Sequence, residues 1–370
     1  MRVNPTQPFN LIAGMYGRQT MAAHLLKQGY PILLSNHVDP LSDSNDRSIY
    51  IPFIELLEEL KIPWTMLSRG GKREDRLLDI IQRPIGWYVT IELRDDARSR
   101  EIAPGAPTPS ERLQLIDKLT ARGHKVCVGI NPLNPELLPD PEVLIKELAQ
   151  HDIFGVWIGR LHLSDRQLKK MSDRGKEALG KAVIEQANKP NQHPEVAEHF
   201  LRTKDLCKEY GIPVYHGQMG EPTAFWDPYR QIYPKTYPLM QDFVNHCFES
   251  GLSDGDLIRW DEFRDFFVSK LPDGEWPLRD HLNAMVNAQT QGRVGAKEGG
   301  NIPRRMTYES LLRLIWNYHE LLYSPANVDC FVYAGKPTGK KNQWTPYVDD
   351  EQNRVMMFKP QGEPNAFAEY

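Results

Sequence analysis

The sequence predicts an α/β fold built on a parallel sheet, followed by a mainly helical C-terminal region. Short apolar runs rich in β-branched and aromatic residues alternate with amphipathic stretches, and this alternation stops after Gly220. Continuous apolar runs of this kind are typical of strands buried on both faces. Their alternation with helices is the βα pattern of a parallel sheet. We therefore predict two domains, residues 1–220 and 221–370.

Six apolar runs are the predicted strands: residues 30–34, 63–67, 86–91, 125–130, 155–158 and 212–215. A complete eight-stranded barrel would need two more strands. A doubly wound open sheet is the competing architecture.

Helices are predicted between these runs. An apolar stripe at i, i+3, i+4 and i+7 runs from Phe53 to Leu60. Thr108-Pro109-Ser110-Glu111 is a capping box with proline at the first helical position, and Asp140 precedes Pro141 in the same manner. Residues 164–187 and 194–210 are two further helical candidates.

Composition excludes several classes of protein. The 45 basic and 49 acidic side chains give a formal charge of -4, which does not support bulk attraction to nucleic acid. Four cysteines in 370 residues exclude a disulfide scaffold. No signal peptide and no apolar run long enough for a membrane span are evident. We expect a cytoplasmic protein.

Polar side chains follow each predicted strand, where parallel α/β folds place their chemistry. The candidates at the first four strand ends are Asn36, Asp39, Ser68, Arg69, Thr90, Glu92 and Asn131. Structural explanations remain open for some of them. Asn36 and Asp39 could form an Asx turn before Pro40, and Glu92 could pair with Arg94 or Arg98.

These segments, taken in order, resemble radical S-adenosylmethionine proteins of the spore photoproduct lyase-like group. The resemblance runs through about residue 165 and rests on segments that are individually weak and fairly specific as an ordered set. They are residues 30–40 (YPILLSNHVDP), 64–71 (WTMLSRGG), 87–92 (WYVTIE), 104–107 (PGAP) with 111–113 (ERL), and 124–132 (HKVCVGINP).

The resemblance implies a partial (βα)6 barrel that binds S-adenosylmethionine and a [4Fe-4S] cluster at the strands' carboxyl ends. The reduced cluster would cleave the sulfonium and release a 5′-deoxyadenosyl radical. By the same resemblance, Asn36 and Asp39 line the amino acid end of the cofactor and Arg69, which follows Ser68, pairs with its carboxylate. Thr90 and Glu92 would face the ribose, and Asn131 the adenine.

One departure concerns the cluster. The group's Cys-x3-Cys-x2-Cys loop is absent, and Cys127, Cys207, Cys247 and Cys330 are remote from one another in sequence. We therefore expect no metal ligand in this chain, and the cluster ligands to come from a missing N-terminal segment or a separately encoded subunit. Whether the chain alone is an enzyme stays open. The alternatives are a metal-dependent barrel hydrolase and a degenerate barrel that binds a nucleotide or a partner without catalysis.

Overall fold

The computed structural model describes residues 26, 29, 31–34, 39, 41, 50–71, 74–160, 163, 165–188, 192–216, 240–270, 308–317, 325, 330–338 and 344–360. These residues fall into two compact units. The first contains the described residues from 29 to 216, and the second contains Leu26 and those from 240 to 360. The expected boundary at residues 220 and 221 lies outside the described residues.

A six-stranded parallel sheet forms the centre of the first unit. A strand overlaps each of the six runs expected to be strands, and the last three strands extend beyond the expected ends. The strands are β1 (Ile32–Leu34), β2 (Trp64–Leu67), β3 (Gly86–Thr90), β4 (Lys125–Leu133), β5 (Gly155–Arg160) and β6 (Val214–His216). Each strand pairs with the next along the chain, so these six strands lack the order reversal that defines a doubly wound sheet.

Nine helices are described in this unit: α1 (Tyr50–Glu59), α2 (Glu74–Ile80), α3 (Asp96–Ile102), α4 (Pro109–Ala121), α5 (Pro141–Leu148), α6 (Asp165–Lys170), α7 (Asp173–Leu179), α8 (Lys181–Asn188) and α9 (Pro194–Glu209). The capping box at Thr108 and the Asp140 cap are confirmed. Residues 164–187 are not one helix. Ser172 caps α7, and Gly180 ends it at φ 92°, a backbone angle that favours glycine.

The two faces of the sheet differ. Alternate residues of β3, β4 and β5 form one face, which is buried at seven positions: Trp87, Val89, Val126, Val128, Ile130, Val156 and Ile158. The other face is buried at Tyr88 and Cys127 but becomes open toward the carboxyl ends, where Thr90 is half-buried and Asn131 is exposed. Thr90 and Asn131, at the carboxyl ends of β3 and β4, therefore have access to solvent on this face.

The second unit contains more helix than strand among its described residues. Its helices are α10 (Met240–Glu249), α11 (Trp260–Ser269) and α12 (Tyr308–Asn317). Its strands, which the sequence did not predict, are β7 (Leu257–Ile258), β8 (Phe331–Tyr333), β9 (Gly335–Pro337), β10 (Trp344–Pro346) and β11 (Met356–Phe358). They form an antiparallel β7-β11-β8 sheet and a β9-β10 pair.

Aromatic rings dominate the core of the second unit. Phe243 packs edge-on against Phe263, with ring centroids 5.0 Å apart, and Phe263 contacts Trp316 at the same centroid distance. Among the helices of the described residues, none combines the length and the apolar character required to cross a membrane.

Candidate functional site

The candidate site lies at the carboxyl ends of β1, β2 and β3, where Asp39 organises the loop that follows β2. Asp39 Oδ1 accepts hydrogen bonds from the Ser68 hydroxyl at 2.7 Å and the Leu41 amide at 2.9 Å. Asp39 Oδ2 accepts one from the Arg69 amide at 2.8 Å. One carboxylate therefore links the ends of two neighbouring strands and fixes the start of the loop that carries Arg69.

Ser68 and Gly70 complete this loop. The buried Ser68 hydroxyl accepts a hydrogen bond from the Gly70 amide at 2.9 Å. Gly70 has φ 85°, and a Cβ there would lie 2.8 Å from Leu115 Cδ2 of α4. The conformation and the close packing against α4 require glycine at this position, so local structure alone accounts for it.

Glu92 lies between two arginines. Its Oε2 accepts a hydrogen bond from Arg112 Nη1 at 2.6 Å, and its Oε1 lies 3.7 Å from Arg69 Nη2. The Arg69 side chain is 39% exposed, whereas the Arg112 side chain is completely buried. Glu92 does not pair with Arg94, which instead forms a two-hydrogen-bond ion pair with Glu147.

Arg112 is the charged residue that the sequence analysis missed. It donates from Nη1 to the Thr90 carbonyl and from Nε to the Pro107 carbonyl, both at 2.8 Å. Burial lowers the pKa of its guanidinium, and the Glu92 carboxylate opposes that shift. Its Nη2 has no hydrogen-bond partner within the part of the chain that the structure describes.

A sequence signal for Arg112 existed. It lies seven residues before Leu119 on the buried stripe of α4 that also contains Leu115 and Ile116. A charged residue on an apolar helical stripe requires a buried partner.

Thr90 and Asn131 lie on the open face of the sheet. Thr90 pairs in register with Gly129 of β4. Asn131 leans over Gly159 of β5, where a Cβ would lie 2.9 Å from the Asn131 amide carbon and 3.2 Å from Trp157 Nε1. The Asn131 amide makes no hydrogen bond to another described residue. Its donors and acceptors are thus available to a ligand.

The structure therefore brings together four of the expected residues, Asp39, Ser68, Arg69 and Glu92, and adds Arg112. Thr90 joins them through its carbonyl oxygen. Asn131 lies on the next strand along the sheet from Thr90. Asn36 lies outside the described residues.

The cysteines do not form a cluster site. All four are buried free thiols in different parts of the fold: Cys127 in β4, Cys207 in α9, Cys247 in α10 and Cys330 before β8. Burial raises the pKa of Cys127 and raises that of Cys207 and of Cys247 to about 12. Among the described residues, no three His, Cys, Asp or Glu side chains are grouped to hold a metal ion. The donor set of these cysteines does not fit an iron-sulfur cluster.

Comparison with known proteins gives distant relatives. An uncharacterized protein of Mycobacterium bovis and two uncharacterized proteins of Mycobacterium tuberculosis are each 28% identical to this chain over 141 residues. The aligned segment covers 36% of this chain and only 41% of the length of each of these curated relatives. No family model and no solved structure matches the chain.

Proposed function

We propose that the first unit is a partial (βα)6 barrel of the radical S-adenosylmethionine type and that it binds S-adenosylmethionine at the carboxyl ends of β1 to β4. The sequential order of six parallel strands supports the barrel. The observation that carries the proposal is the Asp39-Ser68-Arg69-Glu92-Arg112 network, which joins three neighbouring strand ends.

The chemistry of these side chains fits the ligand. Arg69 is partly exposed, and its planar fork suits a carboxylate. Glu92 Oε1 makes no hydrogen bond to a described residue and can accept one from a ribose hydroxyl. The Asn131 amide can hydrogen-bond the adenine. Asp39 already accepts three hydrogen bonds, so we assign it to holding the Arg69 loop.

If a reduced [4Fe-4S] cluster were bound beside this site, it would supply the electron that splits S-adenosylmethionine into methionine and a 5′-deoxyadenosyl radical. The four buried cysteines do not fit the [4Fe-4S] cluster that this requires, so its ligands would come from an additional N-terminal segment or a separately encoded subunit. This chain would bind and orient S-adenosylmethionine.

Binding measurements test the proposal. Calorimetry compares S-adenosylmethionine with 5′-methylthioadenosine, which lacks the amino acid carboxylate, on the wild type and on Arg69→Gln. We expect Arg69→Gln to weaken S-adenosylmethionine binding about tenfold or more, since hydrogen bonds to charged groups are worth about 1.5–3 kcal/mol, and to leave 5′-methylthioadenosine binding unchanged.

The matched control is Arg94→Gln, because the Arg94 guanidinium is paired with Glu147 and forms no ion pair with Glu92 among the described residues. It should alter neither ligand's affinity. Absence of S-adenosylmethionine binding to the wild-type chain, or equal losses for both ligands in Arg69→Gln, would contradict the proposal.

A non-catalytic binding barrel is the second candidate, and the burial of all four cysteines favours it. Anaerobic iron and sulfide reconstitution together with a cysteine-bearing segment or subunit separates the two. Cleavage of S-adenosylmethionine supports the enzyme, and binding without cleavage at full cluster loading supports the binding barrel.

A metal-dependent hydrolase has less support. The Glu92 carboxylate is paired with one guanidinium and lies near a second, and Asp39 is occupied by three donors. Cations beside a carboxylate oppose the binding of a metal ion.

A further inference from the structure

The two arginines around Glu92 interact with it unequally. Arg112 Nη1 lies 2.6 Å from Glu92 Oε2, within hydrogen-bond distance. Arg69 Nη2 lies 3.7 Å from Glu92 Oε1, which is too long for a hydrogen bond. Glu92 is therefore committed to Arg112, and the Arg69 guanidinium keeps donors for another acceptor.

Arg112 is fixed in position, so Glu92 stays closer to Arg112 than to Arg69. Its guanidinium is completely buried and also donates to the carbonyls of Thr90 and Pro107. It lies in the first turn of α4, whose start is fixed by the capping box of Thr108 and Glu111. Arg112 cannot follow Glu92 toward Arg69 without losing these contacts.

Without Arg112, Arg69 would be the one cation within 4 Å of Glu92 among the described residues. A close, two-hydrogen-bond pair with Arg69 would then form readily, because such pairs are the strongest that carboxylates make with arginine. That pair would occupy the two parallel N–H donors of the Arg69 guanidinium and neutralise its charge. An incoming ligand carboxylate would have to compete with Glu92 for it.

We propose that Arg112 is a positioning residue that holds Glu92 away from a close pair with Arg69 and so keeps Arg69 available for the carboxylate of the ligand. The inference rests on the proposed binding of S-adenosylmethionine. Among the described residues, the Arg112 guanidinium hydrogen-bonds only Glu92 and the carbonyls of Thr90 and Pro107, so it would act on the ligand through Glu92 and Arg69.

The test is the ratio of the affinities for S-adenosylmethionine and 5′-methylthioadenosine. Arg112→Met should lower this ratio about tenfold, because Glu92 then competes with the ligand carboxylate for Arg69. Adding Glu92→Gln should restore the ratio to within about threefold of the wild type, because the competing charge is gone. Since both ligands contain the ribose, changes in its contact with residue 92 cancel in the ratio.

The rescue separates positioning from a purely structural role. If Arg112 only stabilised the fold, Arg112→Met would weaken both ligands equally and Glu92→Gln would restore nothing; that result overturns the inference. Arg94→Met, which breaks the ion pair with Glu147, is the matched control and should leave the ratio unchanged.

Burial makes a folding defect in Arg112→Met a specific risk, since breaking a buried pair leaves an uncompensated charge. In that case the same single and double variants are made with Arg112→Lys, which keeps the positive charge but lacks the planar, two-donor guanidinium. A smaller fall in the ratio, again reversed by Glu92→Gln, is expected, and an unchanged ratio refutes the inference. Wild-type protein that does not bind S-adenosylmethionine refutes the proposed function itself, whereas binding with a constant ratio in all variants refutes only the role of Arg112.

Discussion

Glu58 and Glu92 are both buried, and they lie near opposite ends of the same sheet. Near the amino ends, Glu58 Oε1 accepts a hydrogen bond from Trp64 Nε1 at 2.6 Å, and its Oε2 accepts one from the Gln82 amide at 3.1 Å. Arg83 adds an ion pair at 3.4 Å. At the carboxyl ends, only one oxygen of Glu92 is hydrogen-bonded to a described residue.

The difference separates a structural charge from one that can take part in binding. Both oxygens of Glu58 accept hydrogen bonds that join α1, β2 and the segment before β3, so neither oxygen lacks a protein donor. Glu92 keeps one oxygen, and Arg112 beside it keeps one nitrogen without a hydrogen bond among the described residues. In parallel α/β folds, the carboxyl ends carry the chemistry and the opposite ends carry stability.

Replacing Glu58 should have the largest effect on stability. Glu58→Ala removes the acceptor of the buried Trp64 indole N–H and that of the Gln82 backbone N–H, and loss of the acceptor of a buried donor costs about 1–3 kcal/mol. We expect a loss of about 3 kcal/mol in urea unfolding. Glu59→Ala, at the exposed next residue of α1, is the control. A loss of unfolding free energy below about 1 kcal/mol would contradict the contrast between Glu58 and Glu92, since Glu58 would then not be a structural charge.

Acid should lower the free energy of unfolding through the buried His124, by on the order of 2 kcal/mol. Burial lowers the pKa of His124 from 6.5 to about 4, and its Nδ1 accepts a hydrogen bond from the Ile85 amide. Between these pH values the unfolded chain binds a proton that the folded chain does not, so stability falls as pH decreases from about 6.5 to about 4.

The measurement is urea unfolding across this pH range, with His124→Asn as the control that removes the titrating group. The difference between the wild type and the control should decrease as the pH is lowered and become constant below about pH 4. A difference that does not change with pH would show that His124 is not held neutral by the fold.

Gly129→Ala tests whether the Tyr88 ring, which lies beside Gly129 on the open face of the sheet, is held in place. A Cβ at this position would overlap the phenol ring of Tyr88, which is buried against Cys127, Leu67 and Trp157. Because a packed ring cannot move aside cheaply, Gly129→Ala should cost about 1–2 kcal/mol in urea unfolding. Gly123→Ala cannot serve as a control, because Gly123 has φ 79° and any side chain there would strain the backbone. The unfolding free energy of Gly129→Ala is therefore compared with that of the wild type.

Sequence patterns predicted the strands because parallel strands buried on both faces contain continuous apolar runs. The caps at Thr108 and Asp140 were readable because their partners lie within three residues. The partners of Arg112 could not be predicted because its acceptors Thr90 and Glu92 lie 22 and 20 residues away, although its place on an apolar helical stripe indicated that a buried partner was needed. The strands of the second unit are too short, at two or three residues, to show an alternating pattern.

Gly159→Ala should have the smallest effect and gives the sharpest contrast with Gly129→Ala. The atoms that a Cβ would meet at 2.9 Å belong to the end of the Asn131 side chain, which is exposed and able to rotate. We expect a stability loss below about 0.5 kcal/mol in urea unfolding, because a flexible amide moves aside more easily than a packed ring. If the first unit binds S-adenosylmethionine as proposed, calorimetry should nevertheless show weaker binding, since the displaced Asn131 amide would no longer be placed to hydrogen-bond the adenine. If Gly159→Ala destabilises the protein as much as Gly129→Ala does, Asn131 is as fixed as Tyr88. The carboxyl end of β4 would then be as structural as the amino ends, and the assignment of Asn131 to ligand binding would lose its physical basis.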